Sequence, residues 1–187
     1  LDLVDHGSID AAFTQAENRL GPILRLHGNG AALKLMYEKD LGALDIDIDA
    51  WELTLRTNLT GHLACVRRAL PAMIEAGDGA IVLTSSGAAH AAEPIRLAYA
   101  VSKAGINQLV RHVAATWGKA GVRCNAVAPG AILPDDFPQM ELYKMAMKSP
   151  RVGTGDDIAA MVAMLLSADG EWVNGQIISV DAGMSMR

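Results

Sequence analysis

Cysteine is nearly missing from this sequence: Cys65 and Cys124 are the only two in 187 residues. One falls in a predicted helix and the other in a predicted strand, so two buried free thiols are expected rather than a disulfide framework. Positive charge is also short, with 16 Lys and Arg against 21 Asp and Glu. The net charge of −5 argues against a nucleic-acid partner or an acidic membrane surface. No apolar run approaches the ~18 residues of a membrane span. His6, His27, His62, His90 and His112 form no HxxxH or HxxEH cluster, so no dedicated metal site is expected. With no targeting segment and few cysteines, a cytoplasmic location is the default expectation.

What is present is a core-forming composition. Hydrophobic residues make up 51 % and charged residues 20 %, which suits one folded domain. The chain alternates strands and helices. Ser8 is placed to cap a helix running to about Leu20, with Ala12, Phe13, Ala16 and Leu20 on one face. "PILRLH" (22–27) reads as a strand and "GNG" (28–30) as a turn. Residues 31–48 read as a loop with a short helical piece. Asp49 and Glu52 suggest a capping box for a helix that ends near "GDG" at 77–79. "AIVLT" (80–84) has the continuous apolar character of a strand buried on both faces. A helix follows over about 98–118, then a strand at "VRCNAV" (122–127). Residues 131–153, with three prolines and three methionines, form a variable lobe. Thr154 and Asp157 cap the last helix, and "QIISV" (176–180) is the last strand. The pattern predicts right-handed βαβ crossovers and a parallel sheet, hence the α/β class.

Chemistry concentrates at Tyr99, Lys103 and the Ser85–Ser86 pair. Helix positions i and i+4 share a face, so the Lys103 ammonium is expected about 4 Å from the Tyr99 oxygen or from a ligand between them. At an effective dielectric near 20 that attraction is worth about 4 kcal/mol, up to roughly three pK units toward the phenolate. A phenol so acidified exchanges protons near neutral pH, as alcohol–carbonyl interconversion requires. The serines sit at the C-terminal end of a parallel strand, the edge where such sheets bind ligands. Taken alone, a YxxxK pair is common and usually does nothing, and a Ser–Ser pair at a strand end equally suits turn capping.

The motifs together resemble the short-chain dehydrogenase/reductase family along the whole chain. Tyr99-Ala-Val-Ser-Lys103 is similar to its YxxxK, and Ser86 lies thirteen residues before the tyrosine. Asn58 stands in "NLTG", Asn125 to Gly130 in an NxVxPG pattern, and "GQIISVDAG" is similar to the family's ending. The resemblance implies a Rossmann-like doubly wound parallel sheet and an oxidoreductase moving hydride between NAD or NADP and an alcohol or ketone. It implies Tyr99 as general acid/base, Lys103 as its pKa-lowering partner and ribose ligand, Ser86 as orienter of the substrate oxygen, and Asn58 as holder of a water. Asp2, Asn29, Pro129, Gly130 and Ile132 are the further cofactor-contact candidates. Members commonly pair through two long helices, here about 49–70 and 97–118, so a homodimer or homotetramer is expected. Residues 131–153 would be the substrate-side lobe of a single domain.

The sequence also departs from the family. The opening "LDLVD" matches the stretch after the family's third strand, so strands β1–β3 and the glycine-rich turn, roughly the first sixty residues of a member, are not represented. Three explanations fit: the sequence is part of a longer chain, the product has lost its cofactor half, or a second chain completes it. The alternative function is then a truncated, non-catalytic relic acting as a binding or interaction protein. Pro134 stands where the family often has a cofactor-gripping threonine, and Ala182 replaces the first glycine of the terminal motif.

Overall fold

The computed structural model describes residues 1–132 and 140–186. Residues 133–139, including Pro134 and part of the 131–153 lobe, lie outside the described residues. In chain order the elements are α1 (His6–Leu20), β1 (Arg25–Gly28), α2 (Leu33–Glu38), α3 (Ile48–Leu55), a π-helical turn (Arg56–Thr60), α4 (Gly61–Ala76), β2 (Gly79–Thr84), α5 (Leu97–Trp117), β3 (Val122–Pro129), α6 (Met140–Ala146), α7 (Gly155–Leu166) and β4 (Ile177–Val180). The four strands form one sheet in the order β1-β2-β3-β4, parallel at every pairing. This is the α/β parallel sheet that the alternation predicts and the Rossmann-like arrangement that the family resemblance implies.

Strand alternation sorts the core into two layers. Ile81, Leu83, Cys124 and Ala126 face α1, α4 and α5, whose Ile9, Phe13, Val66, Met73, Ile106, Val110 and Val113 cover them. Val82 and Val127 face the other way and pack under Val162 and Leu165 of α7. Both cysteines are buried and free, as expected. Burial pushes the Cys124 thiol up to about 12, leaving it inert.

Several local expectations need correction. Helix α1 begins at His6 because the Asp5 carboxylate accepts the Gly7 amide at 2.8 Å; Ser8 instead takes the Asp2 amide. Leu20, expected on the buried face, is 81 % exposed, whereas Ile9 and Phe13 of the same helix are buried. Asp47, not Asp49, caps α3, accepting the Asp49 amide at 2.9 Å. The helices at 49–70 and 97–118 carry a smaller surplus of apolar side chains than their sequence suggests. Val66, Ile106, Val110 and Val113 are core, while Leu53 and Leu63 stay exposed. The Thr154–Asp157 capping box is present, with the Thr154 amide donating to Asp157 at 2.8 Å.

Candidate active site

The catalytic candidates come from three places in the chain: the end of β2, the first turns of α5 and the π-helical turn between α3 and α4. Strand β2 is buried on both faces and stops at Thr84, so the chain turns out at Ser85 and Ser86. The two serines then divide. Ser85 points inward and donates to Asn107 Oδ1 at 2.6 Å. Ser86 begins a 3₁₀ turn and accepts the Ala88 amide at 3.2 Å, and its hydroxyl acts to lower the pKa of the Tyr99 phenol. That is the serine the thirteen-residue spacing selects.

Lys103 lies one helical turn after Tyr99 on α5 and is 1 % exposed. Its ammonium donates to the Thr84 carbonyl at 2.7 Å and sits 5.6 Å from the centroid of the Tyr99 ring. Burial lowers its pKa from 10.5 to about 8. Tyr99 does not show the acid shift that the i, i+4 argument predicts. Burial raises the phenol above its ordinary value; the Ser86 hydroxyl and the charge of Arg96 oppose that rise. The physical reason is that a buried ammonium needs an acceptor, and the long Lys103 side chain reaches the β2 carbonyl rather than the phenol.

Asn58 is fully buried within the π-helical turn, a geometry that favours functional positions because it re-aims a side chain. Its Oδ1 accepts the Ala32 amide at 2.7 Å, and its Nδ2 donates to Ser102 Oγ at 3.1 Å. Ser102 passes the connection on by donating to the Tyr99 carbonyl at 2.7 Å. Asn58 is thus tied to the tyrosine through protein atoms. Ser102 is a link that sequence reasoning missed, although it is the serine of YAVSK itself.

The cofactor-contact candidates fall at two places. Asp2 accepts the Val4 amide at 3.0 Å beside Leu3, which packs on Gly30 next to exposed Asn29. Pro129, Gly130 and Ile132 follow the end of β3. Gly130 has a packing reason of its own: a Cβ there would lie 2.7 Å from the Asp181 Cα, and its amide donates to Val180 at 3.0 Å. An open cleft of about 190 Å³ lies among Gly130, Ile132, Met147, Arg151 and Asp181. Ser86, Tyr99 and Lys103 are not part of its lining among the described residues. Two further groups had no sequence signal. His62 is buried, with Nε2 against the Gly30 carbonyl at 2.9 Å and Nδ1 unpaired. Asp40 is a buried carboxylate whose two oxygens accept the Ala98 and Tyr99 amides.

A parallel α/β sheet carrying this Ser–Tyr–Lys–Asn cluster at its C-terminal edge defines a class, and comparison places the chain within it. The family model described as enoyl-(acyl carrier protein) reductase matches residues 1–185. A Bradyrhizobium diazoefficiens protein named "Probable short-chain type dehydrogenase/reductase" is 37 % identical over 97 % of this chain, which spans 66 % of that relative's length. The D-threitol dehydrogenase of Mycolicibacterium smegmatis is 30 % identical over 100 % of the chain, which covers 72 % of it. The crystal structure of a gluconate 5-dehydrogenase from Burkholderia cenocepacia, in complex with NADP and tartrate, superposes with a TM-score of 0.88. It is 26 % identical over 98 % of this chain and 73 % of that one. The chain belongs to the short-chain dehydrogenase/reductase family of oxidoreductases.

Proposed function

We propose that this chain carries the catalytic cluster of an NAD(P)-dependent dehydrogenase/reductase that interconverts an alcohol and its ketone. The meeting of the end of β2, which delivers Ser86, with the first turns of α5, which carry Tyr99 and the buried Lys103, carries the reading: the Lys103 ammonium donates to the Thr84 carbonyl at 2.7 Å and lies 5.6 Å from the Tyr99 ring centroid. Two hydroxyls brought to that edge can both address one substrate oxygen. Tyr99 gives its proton to that oxygen in reduction and takes it back in oxidation. Burial favours the neutral phenol, the form that carbonyl reduction needs first. Ser86 holds the oxygen at the tyrosine, and Asn58, through Ser102, steadies the Tyr99 backbone.

The residues present suit a nicotinamide dinucleotide. The Lys103 ammonium has three donors, is buried, and meets the Thr84 carbonyl as its described acceptor. Such a group favours a neighbouring diol, as on a ribose, that accepts its remaining N–H bonds. When bound, NAD(P) supplies or accepts the hydride, and the protein supplies position and field. Asp2, Asn29, Pro129, Gly130 and Ile132 would line the rest of its path. Leu53, Leu63 and Val101, each about two-fifths exposed on α3, α4 and α5, would be covered in a homodimer or homotetramer.

Titrating NADH and NADPH against the full-length protein, followed by nicotinamide fluorescence and then by turnover on a panel of ketones and secondary alcohols, tests the proposal. Saturable micromolar binding with turnover is expected. Loss of neither binding nor turnover on replacing both Ser86 and Tyr99 would overturn it.

A further inference from the structure

The N-terminus of α5 is capped by a residue almost sixty positions upstream. The first N–H groups of a helix have no partner within it. In α5 they are met by two consecutive residues of the segment after α2. Arg96 N donates to the Asp40 carbonyl at 2.9 Å and Leu97 N to the Leu41 carbonyl at 3.4 Å. Ala98 N donates to Asp40 Oδ1 at 2.9 Å and Tyr99 N to Asp40 Oδ2 at 2.7 Å. The carboxylate is 4 % exposed, and its negative charge sits at the positive end of the helix. Two details show that the chain is shaped for this contact. Arg96 adopts a left-handed conformation, φ 65°, which turns the following amides toward Asp40. At Gly42 a Cβ would lie 2.9 Å from the Pro94 carbonyl, so a glycine lets the two segments close.

We infer that Asp40 is a positioning residue for Tyr99: its carboxylate fixes the backbone that carries the phenol, and so the distance from Tyr99 to Ser86. The inference rests on the reading of Tyr99 as acid/base. The residue does not touch the reacting atoms; it acts through the backbone amides at the start of α5, that of Tyr99 among them. Neither of the cap's ordinary sequence signs is present, because the residue before α5 is an arginine and the capping carboxylate arrives from another part of the chain.

Asp40→Asn and Asp40→Glu in the full-length protein test this. The first keeps the shape but turns one acceptor into a donor; the second keeps the charge and moves it by one methylene. We expect kcat to fall tenfold or more in both, with cofactor affinity and KM within about twofold. The solvent deuterium isotope effect on kcat should rise as proton transfer through Tyr99 becomes slow. A kcat within twofold of wild type in a folded variant overturns the inference. Should either variant fold poorly, amide hydrogen exchange at Ala98 and Tyr99 in the other gives the answer: lost protection supports the clamp, and wild-type protection overturns it. If the wild-type protein shows no turnover at all, the reading of Tyr99 as acid/base has failed. Exchange at those two amides then separately supports or overturns the clamp.

Discussion

The Lys103 ammonium donates to the Thr84 carbonyl at 2.7 Å, joining α5 to the end of β2. The contact needs β2 to stop at Thr84 and α5 to start at Leu97, and it sets the element that delivers Ser86 against the one that carries Tyr99.

Tyr99→Phe keeps the ring and removes the proton carrier. Turnover should fall by about 10²–10⁴-fold, the usual scale of acid/base assistance, while cofactor affinity stays nearly intact. Steady-state kinetics beside a nicotinamide-fluorescence titration check it. Retained turnover would remove Tyr99 from the mechanism.

Lys103 is a stability cost as well as a functional group. Its folded pKa, about 8, lies below the ordinary 10.5 because of burial. Between those values the unfolded chain holds more protons, so stability rises with pH across that window, and the full penalty applies below it. The penalty is about 3 kcal/mol at neutral pH. Lys103→Met should therefore be more stable than wild type at pH 7 by a few kcal/mol, yet inactive. Its advantage should shrink as pH approaches 10.5, as urea unfolding at stepped pH would show.

His62 should make the fold acid-sensitive. Burial first, and then the charge of Lys103, lower its pKa from 6.5 to about 4. The folded chain keeps the ring neutral where the unfolded chain protonates it. The stability this supports is present above pH 6.5 and is lost as pH falls toward 4, by about 3 kcal/mol in all. In His62→Leu the slope of unfolding free energy between pH 6.5 and 4 should flatten. An unchanged slope would assign the acid limb to other groups.

Gly121→Ala tests a backbone contact. Gly121 has φ +81°, and a Cβ there would lie 2.0 Å from the Gly77 carbonyl oxygen. The two turns that follow α4 and α5 meet at this point, where Gly79 N donates to the Gly121 carbonyl at 3.0 Å. The substitution should cost about 2–4 kcal/mol by combined strain and displacement. Chemical denaturation checks it, with Gly87→Ala, where a Cβ meets open space, as the control.

Much of this protein was legible in its residues. The apolar run at 80–84 and the capping pair Thr154–Asp157 set two elements closely, because burial on both faces and a local cap leave their signs within a few positions. One turn of helix put Tyr99 and Lys103 together for the same reason, whereas the choice of Ser86, and of the cluster as a site, came from the family resemblance. The expected acidification of Tyr99 was not legible, since it depends on which acceptor the Lys103 ammonium finds. That acceptor is a carbonyl nineteen residues away in sequence.

By itself the amino-acid sequence determined the order of strands and helices, the two-sided burial of β2 and the short list of residues able to move a proton. Only the tertiary structure decided that Ser85 turns inward to Asn107, that Lys103 turns to Thr84, and that Asp40 closes the start of α5. Periodicity and capping are written within a turn or two of chain. A buried charge chooses its partner across the whole fold, wherever an unpaired donor or acceptor happens to be brought within about 3 Å.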